Sequence, residues 1–369
     1  MKNSTEQNET AGGSLGLINY LDENAEPSLY RNGKGRGRNT SSFDDGQTGA
    51  ALLFLIRFDE ATRFQNEKVH NATQFALTAV LNQQFPNGAF PQVWDDDDNP
   101  EPPAIRASFP DYDWQTEGRV KNYWDMYTLN DGVPGSVAEV LIAAHKVYGD
   151  GKYMAAVKRL GDFLLLAQMP EPQPGWAQQY NYEMKPIWAR KFEPPGVCGD
   201  ETQEVIETLV RISEVTKDQK YLEAIPRALA WLTRSLLPDS QLARYYELRT
   251  NKPLYMERRG KTYSLTYDDS NLPSHYGWKT DSRIGELRRQ YEKATKSQRQ
   301  AESRELSEIR NDSARIMSEL DGHGRWISTF NGERVIGQLK LPVGTRYLSS
   351  AVLSRNLETL SETILTMAP

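Results

Sequence analysis

The segment FDDGQTGAALLFLI (residues 43–56) aligns without a gap with a second segment, LNDGVPGSVAEVLI (residues 129–142). A looser third copy is CGDETQEVIETLV (residues 198–210). The first alignment matches Asp45 with Asp131, Gly46 with Gly132, Gly49 with Gly135 and Leu55 with Leu141. Each copy places an acidic loop before an apolar helical pattern, so the sequence indicates an internal repeat.

Each copy continues through a polar break into a second amphipathic segment, predicted as helices over about 66–84, 152–168 and 219–237. A helical hairpin cannot bury its apolar stripe alone, so the copies must pack side by side. Three copies without evident capping repeats favour closure. We therefore predict an all-α fold, an (α/α)3 toroid of helical hairpins with a few short strands in its rim loops. Its three acidic loops would then share one mouth, although an aspartate at a helix start is also typical of an N-cap.

The remaining segments are assigned from composition. Residues 1–40 are polar and glycine-rich and are predicted to form a flexible arm, and residues 41–369 a single domain. Within that domain we expect an insertion at about 95–122, whose acidic run at 95–98 is typical of a solvated loop, and a charged helical segment at about 284–320. Short strands are expected between 243 and 280, and a final helix near the C-terminus could complete the ring.

Composition limits the possible function classes. The net charge of −6 is spread along the chain without a basic stripe, which argues against a nucleic-acid partner. No stretch reaches the roughly 18 apolar residues of a membrane span. The one cysteine, Cys198, permits neither an intrachain disulfide nor a thiolate metal site. Eighteen Tyr and eight Trp are many for 369 residues and suit either a packed core or a sugar-binding cleft.

Chemistry is expected in the long loops that follow each second helix. The middle loop, QPGWAQQYNYEMKPIWARKFEPPGVCGDET (residues 173–202), is too polar for a core and too aromatic for a plain linker. An arginine beside acidic loops, such as Arg190, is most often a structural ion pair, so residue type alone does not assign its role.

These motifs together resemble the family 10 polysaccharide lyases, pectate lyases with an (α/α)3 toroid. The resemblance runs from about 42 to 365 in the family order. The matching elements are SFDDGQT (42–48), PNGAFPQ (86–92), YTLNDGV (127–133), GWAQQYN to ARKFEPP (175–195), KPLYMERRGK (252–261), YGW (276–278) and RYLSSAVLSRN (346–356).

The resemblance implies calcium-dependent β-elimination on polygalacturonate. A galacturonate C5 proton is weakly acidic, so the neighbouring carboxylate must be neutralised, and a hard cation with oxygen ligands does this. By position in the family motifs, Asp44 and Asp131 would bind Ca²⁺, with Asp45 and Asn130 as neighbours. Arg190 would be the base that removes the proton, which conflicts with the usual permanent charge of arginine.

Substrate contacts follow from the same motifs. Arg258 would grip a substrate carboxylate, and further contacts are expected from Trp176, Gln179, Tyr180 and Lys191. The third acidic loop, around Asp200, matches no ligand and is interpreted as a cap that holds the Arg190 loop. Residues 273–275 (PSH) stand where the family often carries another arginine.

Family resemblance further implies an extracellular or periplasmic protein, although the polar start (residues 1–10) shows no secretion signal. A monomer is expected. Two other functions stay open from the residues alone. One is a helical-toroid glycoside hydrolase that uses two carboxylates, and the other is a non-catalytic module that binds acidic polysaccharide.

Overall fold

The computed structural model describes residues 41–94, 104–120, 122–296, 306–331 and 342–367. These residues fall into two compact units, which divide after residue 298. The predicted arm at 1–40 and the acidic run at 95–98 lie outside the described residues, so the expectations for them stay predictions. The same holds for the single domain over 41–369.

The first unit is built from the three predicted helical hairpins. Their helices are α1 (Gln47–Ala61) with α2 (Glu67–Asn82), α3 (Val133–Tyr148) with α4 (Gly151–Ala167), and α5 (Gly199–Thr216) with α6 (Ile225–Arg234). The polar breaks act as caps. Asp150 accepts the backbone N–H of Lys152 at 2.9 Å, and Asp218 accepts that of Lys220 at 3.0 Å, so the second and third hairpins turn in the same way.

The first helices of the hairpins pack on one another in series. Helix α1 packs on α3, α3 on α5, and α5 on α7 (Ile284–Lys296), while α4 also packs on α5 of the next hairpin. The repeated glycine explains the close approach. A Cβ at Gly49 would lie 2.0 Å from Ser136 Oγ, and one at its counterpart Gly135 would lie 3.2 Å from Thr208 Oγ1. The first two copies therefore use the same glycine to admit the next helix.

Short strands tie together the loops at the starting ends of these helices. Five form an antiparallel sheet in the order β10 (Thr262–Thr266), β9 (Pro253–Arg259), β8 (Tyr245–Tyr246), β6 (Val197–Cys198) and β4 (Trp176–Ala177). Strand β6 leads directly into α5. Three pairs complete the set: β1 (Ser41–Ser42) with β2 (Val93–Trp94), β3 (Tyr127–Thr128) with β5 (Gln179–Tyr180), and β7 (Gln241–Ala243) with β11 (Lys279–Asp281). The rim is thus hydrogen-bonded rather than loose.

Most of the large aromatic side chains belong to the core. Among those with at most 2 % exposure are Trp176, Trp188, Trp231, Tyr127 and Tyr180. All of these except Tyr127 satisfy their polar atom inside, as where Trp176 Nε1 donates to the Leu164 carbonyl at 2.8 Å. The aromatic-rich composition is therefore mainly a packing feature, and the predicted all-α toroid with short rim strands is confirmed.

The second unit contains helices α8 (Leu306–Ser318) and α9 (Ser350–Met367), which pack on each other, and the strand pair β12 (Ser328–Thr329) and β13 (Arg346–Tyr347). The charged segment predicted at 284–320 thus contains α7 and α8. The prediction that the last helix completes the ring stays a prediction. No helix among the described residues is long and apolar enough to cross a membrane.

Candidate active site

The first two acidic loops form equivalent turns that open helices α1 and α3. Asp44 begins a 3-10 turn that ends at Gly46 (φ +66°), and Asp131 lies in the 3-10 turn that ends at Gly132 (φ +66°). Neither aspartate supplies a side-chain cap to its helix. The N-cap interpretation is therefore wrong for these two residues, and both carboxylates are free to face another group.

Gln92 joins the two carboxylates. Its Nε2 donates to Asp44 Oδ1 at 2.8 Å and to Asp131 Oδ2 at 3.0 Å. The side chain is held in place because the Gln92 backbone N–H donates to the Trp124 carbonyl at 3.0 Å and its carbonyl accepts the Phe43 N–H at 2.9 Å. One amide nitrogen thus holds residues 44 and 131 side by side, and sequence reasoning missed it although Gln92 ends the PNGAFPQ motif.

Asp131 is the more perturbed member of the pair. Burial and the neighbouring Asp44 carboxylate raise the pKa of Asp131 well above its ordinary value, while the charges of Arg244 and Arg190 oppose this shift. Asn130 Nδ2 donates to Asp131 Oδ2 at 2.5 Å. The backbone of Asp131 has φ +54°, a region that costs a non-glycine residue about 1 kcal/mol or more. Two carboxyl groups from neighbouring turns are thus held together, and the turn of Asp131 is itself strained.

This carboxylate pair suits a hard cation better than a structural role. Oxygen donors are the ligands that Ca²⁺ prefers, and a positive charge would stabilise the ionised form of Asp131, which burial and Asp44 now disfavour. The described residues contain no group of three or more His, Cys, Asp or Glu side chains placed to hold a metal. Asp44 and Asp131, with Asn130 beside them, are the described residues that could hold such an ion. Asp45 lies in the same turn as Asp44, and its side chain is outside the described structure.

Arg244, which follows strand β7, connects the carboxylate pair to the third acidic loop. Its guanidinium donates to Asn130 Oδ1 and to Glu201 Oε1, both at 3.1 Å, and lies 4.8 Å from the centre of the Tyr276 ring. Sequence reasoning did not select Arg244. The available signal was a single arginine within the otherwise apolar and aromatic run at 242–246, which becomes the buried turn between β7 and β8.

The interpretation of Asp200 needs correction. Cys198 is the N-cap residue of α5, and it makes no side-chain cap. Asp200 lies in the first turn, where its Oδ1 accepts Thr280 Oγ1 at 3.1 Å and its Oδ2 lies 3.8 Å from Arg244. Asp200 therefore supports Arg244, and its side-chain contacts among the described residues do not reach the Arg190 loop.

Glu193 holds Arg190. The buried carboxylate accepts the Arg190 guanidinium at 2.5 Å and its backbone N–H at 2.9 Å, and it also accepts Tyr276 Oη at 2.9 Å. Burial alone would lower the pKa of Arg190, but the hydrogen bond and charge of Glu193 outweigh it and raise this pKa well above its ordinary value. In this arrangement Arg190 is firmly protonated.

A cavity of about 490 Å³ opens beside Arg190. Its lining includes Arg119, Tyr123, Arg190, Lys191, Phe192 and Tyr263. Tyr123 connects the cavity to the carboxylate pair, since burial, Glu193, Asp44 and Asp131 raise the pKa of its phenol while Arg190 lowers it. Tyr263 Oη lies 3.1 Å from His275 Nε2, so the PSH segment places a histidine against a residue of the cavity wall. Arg190, the cavity and both aspartates thus belong to one site.

Lys191 lies at this cavity, and Arg258 lies beside Tyr263, one of its lining residues. Lys191 is exposed and lines it. Arg258 is exposed near the end of β9, paired with Tyr263 across the sheet, and its guanidinium lies 5.5 Å from the centre of that ring. Their contact with substrate stays a prediction.

Three other predicted substrate contacts are wrong, because the side chains are buried in the interior. Trp176 and Tyr180 are 0 % exposed and Gln179 is 1 % exposed. Tyr180 Oη donates to the Ala167 carbonyl at 2.7 Å, and Gln179 Nε2 donates to the Tyr123 carbonyl at 2.8 Å. These residues build the WAQQYN segment into the rim strands β4 and β5, and they offer no surface to a sugar.

Comparison with known proteins agrees with this site. The profile of the pectic acid lyase family matches residues 19–243. The fold is similar to that of a family 10 polysaccharide lyase from Cellvibrio cellulosa, with a TM-score of 0.56 and 19% identity over 80% of this chain and 93% of that one. A mutant of a family 10 polysaccharide lyase from the same organism, in complex with trigalacturonic acid, gives 0.54 and 20% over 79% and 95%.

No curated protein sequence matches the chain. The family match covers more than half of the 369 residues and includes the Gln92-linked carboxylates and the Arg190 loop. The resemblance inferred from the motifs is thereby confirmed: the chain belongs to the pectic acid lyase family and is a polysaccharide lyase.

Proposed function

We propose that this lyase cleaves α-1,4-linked polygalacturonate by calcium-dependent β-elimination and leaves 4,5-unsaturated ends. The observation that carries the proposal is the pair of carboxylates, Asp44 and Asp131, held together by Gln92 beside the Arg190 cavity. A bound calcium ion would supply neutralisation of the substrate carboxylate, which acidifies the neighbouring C5–H. The trigalacturonic acid bound by the Cellvibrio mutant supports an acidic galacturonate polymer as the substrate.

The chain's own residues account for binding and orientation. Arg258 and Lys191 provide cationic groups for substrate carboxylates, and the guanidinium fork of Arg258 suits a bidentate contact. The rings of Phe192 and Tyr263, with centres 5.4 Å apart, form a wall that a sugar ring can lie against. Substrate bound there is brought next to the Arg190 guanidinium.

Arg190 is proposed as the group that takes the C5 proton, and its surroundings set the condition for that role. Glu193 and the negative charge of Asp131 both raise the pKa of Arg190. A cation held between Asp44 and Asp131 would add positive charge near Arg190 and so move the pKa of Arg190 towards a range in which it can accept a proton. The ligand-free arrangement holds the proton on, so activation requires the charges around Arg190 to change on substrate binding.

The test is incubation of the protein with polygalacturonate, with calcium or with chelator, while the ultraviolet absorbance of the conjugated product ends is followed. We expect absorbance to rise with calcium only. Absence of a rise with folded protein would refute the proposal. A hydrolase would instead release reducing ends without new absorbance, and a binding module would retain the polymer unchanged.

Arg190→Ala should abolish turnover while leaving polymer binding largely intact. Arg211→Ala is the matched control. Arg211 lies on helix α5, and its one ion pair among the described residues is a half-exposed pair with Glu139 at 3.7 Å. Near-normal turnover by the Arg190 variant would remove it from the base role. Since the substrate is a polymer, we infer an extracellular or periplasmic site of action. The expected monomer stays a prediction.

A further inference from the structure

Arg119 faces the cavity from a segment that the catalytic proposal does not use. It lies in the described stretch 104–120, within the predicted insertion, and its guanidinium lies 4.3 Å from the centre of the Trp188 ring. The backbones of residues 119 and 188 are joined by a parallel bridge. Trp188 is itself fixed, because it is 2 % exposed and its Nε1 donates to the Trp114 carbonyl at 2.7 Å. Arg119 therefore rests on a rigid platform.

Stacking occupies the face of the Arg119 guanidinium and leaves its edge free. All of the N–H donors of a guanidinium point outward in the plane of the group, where they match the two oxygens of a carboxylate. Within the described part of the chain, Arg119 makes no ion pair and no side-chain hydrogen bond, and the same is true of Lys191. Arg190 differs, because Glu193 already neutralises it. The cavity thus presents two uncompensated positive charges in a protein of net charge −6.

The rest of the cavity suits a sugar acid. Its volume of about 490 Å³ lies within the ~300–1,000 Å³ typical of small-molecule sites. Tyr123, Phe192 and Tyr263 supply aromatic walls, and none of the described residues that line it carries a carboxylate. Apolar rings with cations at the edge complement the apolar face and the carboxylate of a uronate residue.

We propose that Arg119, with Lys191, forms a subsite for the free carboxylate of a second uronate residue, next to the residue that reacts at Arg190. This inference rests on the proposed function, and it makes Arg119 a specificity-determining residue rather than a catalytic one. A methyl ester has no negative charge and cannot accept both guanidinium hydrogen bonds, so the subsite selects unesterified stretches of the polymer.

The experiment compares Arg119→Ala with Arg106→Ala in calcium-containing assays on polygalacturonate. Arg106 lies in the same segment, is exposed and does not line the cavity, so its loss changes the net charge equally. We expect KM to rise about tenfold for the Arg119 variant, as for the loss of one charged contact of about 1.4 kcal/mol, with kcat within about twofold. The Arg106 variant should match the wild type.

A second substrate separates recognition from folding. On highly methyl-esterified pectin the wild type and the Arg119 variant should have nearly the same kcat/KM, because the carboxylate that Arg119 binds is absent. If the role of Arg119 were merely structural, its loss would lower kcat/KM for both substrates by the same factor. Arg119→Lys keeps the positive charge but not the paired N–H donors of the guanidinium, so it should give an intermediate KM. This variant replaces the alanine variant in the comparison if the latter misfolds.

The outcomes separate the two proposals. If the wild type is active but the Arg119 and Arg106 variants have the same KM, the subsite proposal alone is overturned. An equal loss of kcat/KM on both substrates overturns it too. A wild type that never yields unsaturated ends refutes the proposed function itself.

Discussion

Replacing Gln92 by alanine removes the one amide nitrogen that bonds both carboxylates of the proposed calcium site. The two bonds, 2.8 Å to Asp44 and 3.0 Å to Asp131, are to groups that carry or share negative charge, and such bonds contribute about 1.5–3 kcal/mol each. Asp131 holds its proton more tightly than usual, which reduces the gain from the second bond. We therefore expect a loss of about 2–4 kcal/mol of unfolding free energy in chelator.

Saturating calcium should reduce this loss to about 1 kcal/mol or less, because a bound cation replaces the two lost hydrogens as the partner of the carboxylates. Urea unfolding followed by tryptophan fluorescence, with chelator and with calcium, measures both values. Gln84→Ala is the matched control. Its Nε2 also makes two bonds, to the Gly88 carbonyl at 3.1 Å and the Ala156 carbonyl at 2.9 Å, but both acceptors are neutral.

The control variant should lose the same free energy under both conditions. A Gln92 variant whose loss is equally independent of calcium would show that the carboxylate pair is a purely structural contact. The proposed calcium site would then have to be placed elsewhere.

Three further changes test the surroundings of the site. Glu193→Gln removes the charge that raises the pKa of Arg190, so the rise of kcat/KM with pH should shift to lower pH, and an unchanged pH profile would exclude Arg190 as the proton acceptor. Burial and the charges of Asp200 and Glu201 raise the pKa of Glu204 from 4.5 to about 8. The folded protein therefore keeps this proton to a higher pH than the unfolded chain does, and the wild type should lose stability as pH rises from 4.5 to about 8. In thermal melts across that range, the melting temperature of Glu204→Gln should depend less on pH than that of the wild type. Parallel pH profiles for the two proteins would contradict the raised pKa. Gly88→Ala should cost roughly 3 kcal/mol or more in urea unfolding, because Gly88 has φ +97° and an added Cβ would lie 1.9 Å from the Arg159 carbonyl oxygen; a cost under about 1 kcal/mol would refute the close contact.

The hairpins and the carboxylate turns could be predicted because their signals are local. Helical periodicity and the polar breaks lie within each copy, and the gapless alignment alone places Asp131 at the start of a helix like that of the first copy. The toroid follows from the need of each hairpin to bury its apolar face. Family motifs then directed attention to Asp44 and Arg190, which the structure brings to one site.

The groups that organise the site could not be predicted in the same way, because each acts across a long separation in sequence. Gln92 reaches Asp44 over 48 positions, and Arg244 reaches Asn130 over 114. No periodicity encodes such pairings. The burial of Trp176 could not be predicted either. Residue type alone does not distinguish a tryptophan that donates to a backbone carbonyl in the core from one that stacks on a sugar.

The glycine at the crossing of α1 and α3 has a consequence for ion choice. Because Gly49 has no side chain to hold Ser136 away, the two helix axes come close, and the turns that carry Asp44 and Asp131 approach with them. Ca²⁺ takes oxygen ligands at 2.3–2.6 Å, whereas Mg²⁺ requires about 2.0–2.1 Å. The distance between the two carboxylates therefore depends on helix packing. A single methyl group added at position 49 would change that distance, and with it the ionic radius that the proposed site accepts, without altering a ligand.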